Sequence, residues 1–268
     1  IGSSLYNIVF VIYAATVFHS KIMVGVANVT MVIPALSFML SALVILIIKD
    51  DADYDVLSSD NELSFKEQFS NLYHNVMLIF NETNSADFIH LLLAILCLNM
   101  LSGSLNAIYN IWLLFAKIGH LSYSQALLLI EFILVGGVLI GSLTPHDYFS
   151  QKSIRQLLKI SAVIFFIVGL SNLIHFPLII GILLLTFASY LVGKVNPKIN
   201  SQLLSNLLGN TLAQTNSFLT FLFTLFLPVG TVLFSSLSSW NITSTWITFL
   251  ALAVAVFKLS ASTKTVAD

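Results

Sequence analysis

The sequence predicts an all-α protein, a polytopic membrane helical bundle of about eight transmembrane helices. Three observations carry this. Hydrophobic residues make up 57% of the 268-residue chain and charged residues only 9%. Mean hydropathy is +0.96. The apolar residues form runs of the length a helix needs to cross a bilayer, about 20 residues. Soluble domains carry about 25% charged residues. A chain this poor in charge lacks the surface that would keep it dissolved.

Taken in order, the spans are 1–18, 22–48, 87–116, 122–143, 157–173, 175–194, 211–237 and 241–258. The second is long and carries Pro34, which favours a kink or tilt. The hairpin before it is only His19 to Lys21. Residues 1–48 thus hold two N-terminal helices, 49–86 a cytoplasmic linker, 87–258 a six-helix block and 259–268 a cytoplasmic tail. The linker opens with KDDADYD, a solvated acidic run. LSFKEQFSNLYHNVMLIF follows, with Leu63, Phe65, Phe69, Leu72, Tyr73 and Val76 near helical spacing. Lys66, Glu67 and Asn71 take the other side. This is the pattern of an amphipathic helix on the inner membrane face.

Lys and Arg set the orientation. With Ile1 cytoplasmic, nine of the 11 basic residues (Lys49, Lys66, Lys152, Arg155, Lys159, Lys194, Lys198, Lys258 and Lys264) fall in cytoplasmic segments. Only Lys21 and Lys117 fall outside. Both termini are therefore expected in the cytoplasm, in a bacterial plasma membrane. The chain begins IGSSLYNIVF, without Met or a basic leader. The expectation is that residues were removed or that it is part of a longer reading frame.

Net charge is −1 and the pI about 6.6, with basic residues scattered, which argues against nucleic acid. Cys97 is the single cysteine, so neither an internal disulfide nor a thiolate metal cluster can form within the chain. There is no Gly-rich phosphate loop and no His/Glu pair at ligand spacing, so neither cofactor nor metal is expected. The six histidines lie in loops or near span ends. Ser102-Gly103-Ser104 is the nearest approach to a nucleophile motif, but no histidine lies mid-span to serve it. The chain is not expected to be an enzyme.

The polar residues inside spans are the candidate site. Glu131, in LLLIEFILVGG, is the only acidic residue in the interior of a span, Asp87 standing at the first position of the third. It reads either as a protonated carboxyl bonded to a neighbour or as a proton carrier or cation site, because an anion in hydrocarbon is costly. Asn99, Ser102, Asn106 and Asn110 fall on one face of the third span. Asn210, Gln214, Ser217, Thr220 and Thr224 form a second stripe in the seventh. Each stripe reads as cavity lining or as interhelical hydrogen bonding. Gly137 and Gly141 form a small-xxx-small step for close helix packing.

A resemblance follows from larger blocks. PALSFMLSALVILIIKDD is similar to a sixth span entering a central cytoplasmic linker in the major facilitator superfamily. LCLNMLSGSLNAIYNIWLL resembles its seventh span. GGVLIGSL with SQKSIRQLLK resembles the end of the eighth span and the loop after it. NPKINSQLLSNLLGNTLAQTNSFLTFLFTLFLPVGTVLFSSL resembles the tenth span running into the eleventh, with PVG where macrolide-efflux-like members often have a similar turn. IGSSLYNIVFVIYAATVF and VGVANVTMVIPAL resemble first and second spans.

The resemblance implies a C-terminal six-span half preceded by two spans, and proton-coupled efflux of a small apolar or cationic compound of the macrolide or drug type. Its partners would be the bilayer, a small-molecule substrate and protons. The chain departs from the family in lacking a GxxxDRxGRR loop, and GSLTPHDYFSQKSIR is a degenerate counterpart. Eight spans in place of twelve leave an alternative: a shortened, non-transporting remnant, or a fragment needing a homodimer or a missing N-terminal half.

Overall fold

The computed structural model describes residues 11–13, 16–17, 20–24, 70, 73–77, 80, 85–116, 118–174, 178–206 and 209–261. Among them are six long helices: α1 (Ser85–Trp112), α2 (Tyr123–Leu143), α3 (Ile154–Leu173), α4 (Leu178–Asn206), α5 (Gly209–Trp240) and α6 (Ile242–Ser260). All six are long and apolar enough to cross a membrane. The chain is a helical membrane bundle. The two expected spans before residue 49 lie almost wholly outside the described residues, as does most of the linker. Of the amphipathic linker helix, Tyr73–Met77 is helical, with Val76 buried and His74 exposed. Tyr73 meets Phe88 of α1 edge-to-face at 5.1 Å.

Local sequence starts several helices. Ser122 and Ser153 open α2 and α3 with the same S-x-x-Q signature. Each serine accepts from the N–H of Gln125 or Gln156, whose side chain accepts from the serine N–H in return. The Asn241 side chain accepts from the N–H groups of Thr243 and Ser244 at the start of α6. Gly119, at φ 56°, makes the left-handed turn between α1 and α2.

Loop contacts sort the helix ends onto two faces. Arg155 donates to the Asp87 carbonyl at 2.9 Å, placing the starts of α1 and α3 together. Lys194 pairs with Asp147 at 2.8 Å, placing the loop after α2 beside the C-terminal half of α4. Lys21 donates to the Trp240 carbonyl at 3.5 Å on the opposite face. The first face therefore gathers Asp87, Asp147, Lys152, Arg155, Lys159, Lys194, Lys198 and Lys258. Among the described basic side chains, only Lys21 lies on the second.

The main helix pairings are α1 with α5, α2 with α4, α6 with α1, α3 with α4 and α3 with α6. Exchanging α1-α2-α3 for α4-α5-α6 maps this set onto itself. The two triplets start on opposite faces, which is the pairing pattern of inverted repeats. Their close crossings are inverted too. Gly103 and Gly230 bring α1 onto α5 near the second face, where a Cβ on Gly103 would lie 2.8 Å from Leu227 Cδ2. Gly137, Gly141 and Gly193 bring α2 onto α4 towards the first face, where a Cβ on Gly141 would overlap the Tyr190 carbonyl.

Aromatic packing fills the centre. Trp246 and Phe249 of α6 are buried. Trp246 meets Tyr109 at 5.8 Å, and Phe249 meets Phe165 and Phe234 at 5.9 Å. Outward faces are apolar: Phe132 is 78% exposed and Leu183 64%. Bare apolar faces of this extent suit lipid rather than water.

One helix runs on where the sequence reads as a loop. The sixth expected span ends at residue 194, but α4 continues to Asn206 through Pro197. Pro197 lacks the N–H that would bond the Gly193 carbonyl. The Ser142 hydroxyl donates to that carbonyl instead, at 3.0 Å. Lys194, expected in a cytoplasmic segment, therefore sits on a helix and is 5% exposed.

Candidate functional site

The α1 stripe divides among three surroundings. Asn99 lines a cleft of about 210 Å³. Ser102 donates to the Asn99 carbonyl at 3.1 Å, a bond inside its own helix. The Asn106 side chain faces the carboxyl of Glu131 on α2. Asn110 is buried, and its carbonyl accepts from the Tyr123 hydroxyl at 2.9 Å. One helical face thus meets different neighbours along its length.

The cleft lies between α1, α5 and the end of α4. From α5 come Asn216, Thr220, Phe223 and Thr224, and from α4 Ile199. Of the second expected stripe, Thr220 and Thr224 are in the cleft, while Ser217 is exposed outside it. The backbone of Asn210 and Gln214 belongs to α5, but their side chains lie outside the described residues. Asn216 was not in the expected stripe. Its signal is the run 216, 220, 223, 224 and 227, a helical face that shares Thr220 and Thr224 with the expected stripe and takes Asn216 in place of its neighbour Ser217. Leu227 and Asn99 also line the cleft. They sit beside the Gly103–Leu227 and Gly230–Met100 contacts, so the cleft lies on the first-face side of that crossing.

Glu131 is half-buried, midway along α2. No ion pair to it occurs among the described residues. Asn106, which faces it, is seven residues from Asn99 on the same face, about 10 Å along the helix. The carboxyl and the cleft are therefore joined by one side of α1.

A second polar cluster was not expected from sequence. Lys194 donates to the Thr144 carbonyl, to Thr144 Oγ1 at 2.6 Å and to Ser150 Oγ at 3.2 Å, besides its pair with Asp147. Asp147 accepts from the Ser150 N–H and hydroxyl at 2.8 and 2.7 Å. Desolvation pushes the Asp147 carboxyl up, but hydrogen bonds from Lys194 and Ser150 and the Lys194 charge outweigh it and hold it at about 2. The chemistry is that of a structural clamp: it ties the α2–α3 loop to α4. Nothing in it is left open for a ligand.

No group of three His, Cys, Asp or Glu residues able to hold a metal ion occurs among the described residues. Comparison with family models, curated proteins and solved structures finds no match.

Proposed function

We propose that the chain is a membrane transporter that couples a small solute to protons, with the α1–α5 cleft as solute path and Glu131 as the proton-carrying group. The observation that carries this is the placement of Asn99, Asn216, Thr220 and Thr224 around an open cleft within membrane-spanning helices. Polar side chains facing lipid are costly, so such a face belongs against water or protein. The inverted pairing pattern supports the same reading, because many transporters are built from inverted repeats and bind substrate near the bilayer midplane. It also agrees with the resemblance to the C-terminal half of a major facilitator superfamily transporter. On this reading the basic first face is cytoplasmic and transport runs outward.

The polar flank of α5 favours completion by a second helical body, either another part of the native protein or a second copy of this chain. Asn216, Ser217, Thr220 and Thr224 are all exposed. Without such a body half the path is unbuilt, and a remnant would not transport.

The test is solute-dependent proton movement by the native full-length protein in proteoliposomes carrying a pH-sensitive dye. The expected result is a proton flux that appears only when a transported solute is added. A dye signal that no solute alters contradicts the proposal.

A further inference from the structure

Among the described residues, the helical hydroxyls of Ser161, Thr215, Ser235 and Ser238 are buried without a hydrogen-bond partner. Others close on a carbonyl one turn back: Thr186 on Ile182, Thr248 on Ser244 and Ser236 on Val232, at 2.8–2.9 Å. Thr220 and Thr224 do not. Nor do the side-chain amides of Asn99 and Asn216 meet a hydrogen-bond partner among the described residues. Four polar groups therefore face the same space with their bonding capacity unused.

Their charge is equally informative. No described residue lining the cleft is ionisable. The adjacent cation, Lys198, is turned away, with its ammonium donating to the Ser150 carbonyl at 2.8 Å. An ion entering the cleft meets no opposite charge among the described lining residues. A neutral polar solute needs none. Each amide offers both donors and an acceptor, and each threonine hydroxyl can do either. Asn216, Thr220 and Thr224 stand one turn apart in a column along α5, about 6 Å per step. Asn99 faces them from α1, and Leu219 and Phe223 supply an apolar wall. The described side of the path contributes about 210 Å³.

We propose that the cleft binds a small uncharged polyhydroxylated solute of about monosaccharide size. Its hydroxyls bond the Asn99 and Asn216 amides and the Thr220 and Thr224 hydroxyls, and its C–H face packs on Phe223. This rests on the transporter reading above and narrows its substrate to one that the uncharged polar lining contributed by α1 and α5 can bond.

The experiment is counterflow uptake by the native full-length protein in proteoliposomes. Three kinds of radiolabelled probe are compared: the neutral sugars glucose, galactose and xylose, the cation methyltriphenylphosphonium, and the macrolide erythromycin. The expected result is uptake of at least one sugar, reduced tenfold or more by N99A and by N216A. N216D keeps the side chain's shape, replaces an amide with a carboxylate, and should give a similar loss if N216A fails to fold. Uptake of the cation or the macrolide without any sugar overturns the substrate class and leaves the transporter reading standing. Sugar uptake indifferent to these substitutions overturns the assignment of the cleft. No uptake of any of the three kinds overturns the transporter reading and this inference with it.

Discussion

Replacing Glu131 with glutamine is expected to abolish proton-driven transport while solute exchange continues. Glutamine has the shape of glutamate and can still face Asn106. What it cannot do is bind and release a proton. Accumulation against a pH gradient should fall on the order of 100-fold, the scale associated with removing a positioned proton-transfer group. Counterflow without a gradient should stay near the unsubstituted level, because Glu131 does not line the cleft. The two assays together separate coupling from folding. Undiminished proton-driven accumulation by E131Q would move the coupling role to another residue.

The second large effect is on stability. Lys194→Met should cost about 2 kcal/mol, the scale for losing hydrogen bonds to a charged group. Lys194 is 4% exposed at its side chain and Asp147 25%. The substitution leaves the carboxylate without its cation and the Thr144 carbonyl without its donor. The double variant K194M/D147N should lose less than the sum of the singles, since contacting residues couple. The pH dependence has a definite sign. The Asp147 carboxyl is held at about 2 in the fold, against an ordinary value of about 4. Its stabilisation is full above the ordinary value and is lost as pH falls through about 2. The melting temperature in detergent should therefore drop more between pH 4 and pH 2 in the unsubstituted protein than in D147N. Equal drops would show that the clamp does not contribute.

The limits of sequence reasoning are physical and can be located. Hydropathy places the six described spans because burying apolar length in a bilayer needs no knowledge of neighbours. The S-x-x-Q starts of α2 and α3 are local signals of the same kind. The end of α4 is not. KVNPKIN reads as a loop because it holds two lysines, two asparagines and a proline. The helix persists because Asp147 pairs with Lys194 and Ser142 caps the carbonyl that Pro197 frees. Both partners are distant in sequence. The same holds for the candidate site. Glu131 stands out in sequence as a carboxylate among apolar residues, and the Asn stripe by its period. Periodicity gives a face but not the helix opposite it, so the Asn106–Glu131 approach and the entry of Asn216 into the cleft required the fold.

On the proposed function the cleft face of α5 meets water within the membrane, and cysteine accessibility reads that exposure. In a C97A background, N216C, T220C and T224C are compared with L183C on the exposed apolar face of α4. A membrane-impermeant, charged thiosulfonate reacts with thiols that ionise in water and is excluded from lipid. The predicted result is modification of N216C, T220C and T224C at least tenfold faster than L183C, slowed by a transported solute. Modification no faster than at L183C would place this face against lipid or sealed protein and contradict the account.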